Sequence, residues 1–193
     1  GEAGHQRPCL NSPLSKREST VVVVDHVGDN IPVMEAPDTF IAMLEAAIAE
    51  NPDANIIVAT HPDGEQGDQA KNSKRRGYLR QFAKRSNVTF VTTVTNLWPF
   101  IGASEKIYVC SSPMGFAALM AKKPTIIYGA PFYAGWGIGE ARNRGSFLQR
   151  RQRKRSIEEI FYLSCIESTR YVNPHSMRPC DIEEFLHSLS SGE

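Results

Sequence analysis

Long apolar runs are missing from this chain. None approaches the ~20 residues of a membrane-spanning helix, and the first residues lack the charged-then-apolar pattern of a secretory signal. Charge of one sign is missing too. Twenty-two lysines and arginines against 21 aspartates and glutamates leave a formal net charge of +1, so there is no overall electrostatic case for a nucleic-acid or membrane-surface binder. Cysteine is sparse: Cys9, Cys110, Cys165 and Cys180 are scattered, with no CxxC pair. That fits reduced thiols in a cytosolic protein better than a disulfide framework or a zinc site. There is no Walker loop, no GxGxxG after the first apolar run, no cluster with metal-ligand spacing and no internal repeat. These absences argue against a P-loop NTPase, a standard nicotinamide-dinucleotide enzyme and a metal site. A nucleotide-sugar site requires none of these motifs.

What is present is a globular composition at 193 residues, enough for one sizeable core. Gly1 to Thr20 is polar and holds Pro8 and Pro13. It reads as a loose lead-in or the scar of a truncation, and a start without Met suggests a fragment or a processed product. Val21–Val24 is a continuous β-branched run, the mark of a strand buried on both faces in a parallel sheet. Ile56–Ala59, Val88–Val91, Ile107–Cys110 and Thr125–Tyr128 repeat that signal. Helical spacing appears over Thr39–Glu50 and Met114–Ala121, and Lys74–Arg85 reads as a basic helix despite Gly77. Asn96–Ile101 reads as a short apolar turn or helix. The order βαβαβαβαβ predicts an α/β fold, a Rossmann-like parallel sheet of about five strands with helices on both faces. The strands are expected to stop after Gly139. Residues 21–140 then form a nucleotide-sugar-binding lobe, and 141–193 a basic linker and two helices, Ser156–Ser168 and Asp181–Leu189, packed on it.

In a parallel sheet all strand C-termini lie on one edge, where open α/β folds bind ligands. Four constellations fall on that edge. The first strand ends in Asp25-His26-Val27-Gly28-Asp29-Asn30, where a carboxylate can act as base or nucleophile or steady an oxocarbenium-like transition state; Asp, Gly and Asn are equally ordinary turn formers. The second ends in Thr60-His61-Pro62-Asp63, and an imidazole there can donate to a phosphate or ribose oxygen. The fourth ends in Ser111-Ser112-Pro113. There a capping serine and a first-turn proline make a helix start able to hold a phosphate, or simply a cap. The fifth runs into Pro131-Phe132-Tyr133-Ala134-Gly135-Trp136-Gly137. Three aromatics and two glycines in seven residues suit a sugar platform, or else a rigid corner packed into the core. The basic segment Arg142–Arg155 can neutralise phosphates, an acidic polysaccharide or anionic lipid heads, or be a solvated linker. With only Phe147 interleaved, it is a weak nucleic-acid signal.

These pieces, in order, resemble the capsule polysaccharide biosynthesis family of β-Kdo glycosyltransferases (the KpsC/LipA type). The resemblance rests on Val23-Val24-Asp25 with Gly28-Asp29, Thr60 through Asp63, and Lys74 through Leu79. It continues through Lys106–Val109, Ser112 with Met114–Phe116, Pro131–Gly137 and Arg170–Pro174 with Pro179-Cys180. It implies one lobe of a GT-B-like transferase using CMP-Kdo as donor, with no other cofactor. Kdo would pass with retention to a lipid-linked Kdo or polysaccharide acceptor in capsule assembly. The same resemblance implies Asp29 as the active-site carboxylate with Asp25 as second choice. It implies His61, Pro62, Ser111, Ser112 and Gly115 around the nucleotide, and Phe132, Tyr133, Gly135 and Trp136 at the sugar. It further implies a cytoplasmic protein with peripheral contact at the inner-membrane capsule machinery. The family has Gln where His26 stands and Glu where Ala117 stands. The alternative is a non-catalytic CMP-sugar-binding or truncated regulatory relative.

Overall fold

The computed structural model describes residues 19–26, 36–60, 77–82, 85, 87–91, 98–142, 145 and 148–190. Six parallel strands make the main sheet: β1 (Thr20–Val24), β2 (Asn55–Ala59), β3 (Val88–Val91), β4 (Lys106–Val109), β5 (Thr125–Ile127) and β6 (Glu140–Ala141), in the order β3-β2-β1-β4-β5-β6. That is the doubly wound order, with its direction of winding reversing between β1 and β4. Register is pinned at the centre by Val22 opposite both Ile57 and Ile107.

The β-branched runs form central strands because both of their faces are buried. Val21 and Val23 point to one face with Ile56, Val58 and Tyr108. They pack there on Phe40, Met43, Leu44 and Ala47 of helix α1 (Pro37–Glu50). Val22 and Val24 point to the other face with Ile57, Ile107 and Val109. That face is covered by Ile101 of α2 (Trp98–Ala103) and by Phe116, Ala118 and Leu119 of α3 (Met114–Met120). Helices therefore lie on both faces, as the strand–helix alternation predicts. Arg142 ties the sheet edge to α1: its guanidinium takes both carboxylate oxygens of Glu50, donates to the Tyr128 hydroxyl at 3.0 Å and to Glu140 at 2.7 Å.

The structure departs from the expected elements at three places. Strands do not stop at Gly139, because Glu140–Ala141 joins the sheet beside Ile126–Ile127. These residues carry no apolar signature, and backbone pairing alone recruits them. A further antiparallel pair, β7 (Tyr171–Val172) with β8 (Pro179–Cys180), follows. Of the helix expected over Lys74–Arg85, the described part holds only the single 3-10 turn Arg80–Phe82. The Leu79 amide is spent on Asp25 rather than on a helical carbonyl. Finally, α4 (Ile157–Phe161), started by a Ser156–Glu159 capping box, widens into a π-helical stretch over Tyr162–Glu167. The chain ends with α5 (Ile182–Ser190). Among the described residues no helix is long and apolar enough to cross a membrane.

Candidate functional site

The edge of interest lies outside the C-termini of β1 and β4, where the winding reverses. Staggered backbone bonds set the heights of the strand ends: Asp25 N donates to Ala59 O, Thr60 N to Val91 O and Tyr128 N to Val109 O, at 2.8–3.0 Å. On the β4 side, Ser112 is buried and its hydroxyl oxygen accepts from the Met114 amide at 3.2 Å. Pro113 already has helical torsions (φ −55°, ψ −22°). The serine is therefore a turn-former at the start of α3 as expected. Ser111 is half-buried beside it.

The aromatic loop is built against this turn. Tyr133 donates its hydroxyl to the Ser112 carbonyl at 2.5 Å. A Cβ on Gly115 would lie 2.3 Å from that hydroxyl oxygen, so only glycine admits the ring there. Tyr133 is 1% exposed and packs with Phe116 in the core. The expectation that Tyr133 offers its face to a sugar is thereby corrected: burial spends both its ring and its hydroxyl on positioning Ser112. Trp136 does not present a clear face either. Its Nε1–H donates to Phe132 O at 2.7 Å, and the Arg151 and Arg155 guanidinium groups lie 5.6 and 5.7 Å from its ring centre. Arg151 also donates to Pro131 O (2.6 Å) and Ala134 O (2.7 Å). Burial, and then the neighbouring Arg150, push its pKa below the usual arginine value. Gly135 turns the chain at φ +80°. Phe132, 45% exposed and edge-on to Phe116 at 4.9 Å, is the aromatic the loop leaves open.

On the β1 side, Asp25 is 3% exposed. Its Oδ1 accepts from His26 N at 2.9 Å and its Oδ2 from Leu79 N at 3.1 Å. Burial raises its pKa from 3.8 to about 6, opposed by amide bonds from Leu79, His26 and Tyr78. Asp25 is thus engaged by backbone on both oxygens, and the expectation of a second active-site carboxylate does not fit that arrangement. Asp29, His61 and Pro62 lie outside the described residues, as do Arg144 and Phe147 of the basic segment. Among the described residues no group of three or more His, Cys, Asp or Glu is placed to hold a metal.

Two contributors were not singled out from the sequence. Gly77 is one: a Cβ there would sit 2.1 Å from Asp25 Oδ2. Its signal was weak, since a glycine inside an otherwise helical pattern only weakens the case for a helix. The Arg151–Arg155 clamp on Trp136 is the other, and its only sequence signal is the charge run itself.

The strand order defines a Rossmann-ordered α/β domain with a candidate ligand edge at its switch point. The chain belongs to the capsule polysaccharide biosynthesis protein family, which matches residues 6–171. It is 34% identical over 172 residues to the capsule polysaccharide modification protein LipA of Neisseria meningitidis serogroup A, covering 86% of this chain and 23% of LipA. It is 28% identical over 194 residues to the lipopolysaccharide-processing protein LpsZ of Rhizobium meliloti, covering 97% of this chain and 41% of LpsZ. Among solved structures, the β-Kdo 2,4 transferase KpsC of Thermosulfurimonas dismutans superposes with a TM-score of 0.76 at 30% identity. That match covers 98% of this chain and 55% of that one. The chain thus spans less than half the length of these curated relatives.

Proposed function

We propose that this chain is the donor-binding part of a retaining glycosyltransferase that moves Kdo from CMP-Kdo to a lipid-linked Kdo acceptor in capsule polysaccharide biosynthesis. The observation that carries the reading is the likeness of nearly the whole chain to a β-Kdo transferase at 30% identity. Among the described residues, Ser111, Ser112 and Phe132 also follow the C-terminal ends of β4 and β5, which supports the reading. In this reading the bond from the sugar's anomeric carbon to the CMP phosphate breaks and an acceptor hydroxyl makes the new one, with CMP leaving. Asp29 steadies the positive charge that develops at the anomeric carbon. His61, Pro62, Ser111 and Ser112 hold the cytidylate, with Gly115 keeping α3 close enough for Tyr133 to fix Ser112. Phe132 is the apolar platform for the sugar. The CMP-sugar is substrate, and the reading invokes no cofactor. Residues 21–140 supply the pocket and 141–193 buttress it, on the cytoplasmic side and at the periphery of the inner membrane.

Calorimetric titration with CMP, using UMP and ADP as controls, tests the reading. The expected result is selective CMP binding that weakens at least tenfold in His61→Ala and persists in Asp29→Ala. Equal binding of all three nucleotides, or of none, overturns it.

A further inference from the structure

We propose that Asp25 is a positioning residue for the candidate site: its carboxylate anchors the turn Gly77–Leu79 to the end of β1 and so fixes one wall of that site. The proposal rests on the donor-binding reading only for what the wall serves.

Gly77–Leu79 is where the chain that leaves β2 after Thr60 comes back to the sheet edge. Three contacts meet there. Leu79 is fully buried, with its amide on Asp25 Oδ2 at 3.1 Å. Tyr78 stacks on Phe40 of α1 at 4.9 Å, and Phe40 in turn meets the His26 ring edge-on at 6.2 Å. Gly77 lies so close to Asp25 Oδ2 and to the Thr60 methyl that no side chain fits there. Apolar packing holds the turn against the core, and Asp25 adds a directional contact that sets its height along the strand axis, because hydrogen bonds are directional and apolar contacts are not. One carboxylate joins β1's own end, through His26 N, to the returning chain, through Leu79 N.

Among the described residues, the titratable groups flanking Asp25 are His26 on its own strand end, Tyr78 on the turn and the Cys110 thiol just beyond β4, which contacts Met43 Sδ. Lys74, Arg75 and Arg76 precede Gly77 in the sequence. The rise in the carboxyl's pKa comes from burial. Opening the turn would hydrate the carboxylate and return its pKa toward 3.8, so protonation favours the closed turn and the anchor loosens as pH rises through about 6.

Amide hydrogen exchange on the whole chain, read by NMR from pH 5 to 8 and corrected for intrinsic rates, tests the anchor. In the wild type, Leu79 protection is expected to rise several-fold on acidification across this range. Asp25→Asn turns an amide N–H toward a backbone N–H. It should lower Leu79 protection at least tenfold at pH 8 and remove the pH step. Gly77→Ala, which forces a methyl toward Oδ2, should loosen Leu79 similarly, with the double variant no worse than either. CMP affinity should fall at least fivefold in both single variants. Leu79 protection that is flat with pH in the wild type, or equal in wild type and Asp25→Asn, overturns the anchor. A loosened turn with unchanged CMP affinity overturns the positioning role. Failure of the wild-type chain to bind CMP defeats the donor-binding reading instead, and the exchange data still decide the anchor.

Discussion

The fit of Tyr133 over Gly115 is tight, and it yields a quantitative prediction. In Gly115→Ala the new Cβ falls 2.3 Å from Tyr133 Oη, 2.8 Å from Cζ and 2.8 Å from a Val109 methyl. Overpacking of this kind costs about 1–3 kcal/mol, and alanine's better helix propensity returns up to about 1 kcal/mol. A net loss of about 2 kcal/mol is expected, or roughly 4–8 °C in Tm for a chain of this size. Tyr133→Phe removes the donor to the Ser112 carbonyl, which keeps its second partner, the Gly115 amide at 3.0 Å. About 1 kcal/mol should be lost, the lower end of the cost of an unmade buried bond. The double variant is the informative one. Deleting the hydroxyl removes the nearest clash, so Gly115→Ala with Tyr133→Phe should be more stable than the sum of the singles by about 1 kcal/mol. Urea unfolding at pH 7, with unchanged m-values, measures all three. Strict additivity, or a Gly115→Ala variant as stable as the wild type, would refute the claim that the tyrosine hydroxyl fills this space.

Three further outcomes follow from charged groups. Arg142→Gln should cost about 2 kcal/mol at neutral pH, the scale of charge-assisted bonds; it removes the paired contact to Glu50 along with those to Tyr128 and Glu140. Arg142 holds the Glu50 carboxyl below its ordinary value. Its contribution is therefore complete above the unfolded pKa, near 4.3, and is lost as pH falls through the lowered folded value; acid titration should show that loss blunted in the variant. Asp25 has the opposite sign. Its folded pKa of about 6 exceeds the reference 3.8, so its neutral form favours folding and wild-type stability should fall as pH rises between those values, by at most about 3 kcal/mol. The wild-type minus Asp25→Asn difference isolates this slope, and a flat difference would refute it. Arg151→Ala should red-shift Trp136 emission and cost about 1–3 kcal/mol, because two loop carbonyls lose their donor. A Trp98→Phe background, removing the exposed second tryptophan, makes the emission readable.

What was legible in the sequence follows from how much of each signal is local. Val21–Val24 and Ile56–Ala59 advertise themselves because strands buried on both faces must be apolar at every position, and the two cores divide their side chains alternately. The strand–helix alternation then leaves few topologies, and the observed order is the doubly wound one. Glu140–Ala141 was illegible because its place in the sheet comes from a neighbour's backbone. Lys74–Arg85 misled because basic residues at helical spacing look alike whether or not a distant carboxylate claims one of their amides. At the site, the edge and its residue types were readable, but the allocation within the aromatic loop was not. Phe132 faces outward while Tyr133 is consumed by Ser112, a choice made by Gly115 and Phe116 from another element.

The basic segment shows the same logic at the level of charge. Read alone, Arg142–Arg155 is a run of cations available to anionic lipid or polysaccharide. In the fold, Arg142, Arg151 and Arg155 turn inward: the first to Glu50, the second to two loop carbonyls, the third to Glu159 and the Trp136 face. Arg150, Arg153 and Lys154 remain exposed. The outward charge is therefore smaller than the count suggests, and attraction to an anionic surface scales with exposed cations within a Debye length, not with sequence composition. Arg151 and Arg155 instead brace the aromatic loop through two of its carbonyls and the Trp136 ring, and such bracing favours the platform role proposed for Phe132, because a ring already held in place loses less freedom on binding.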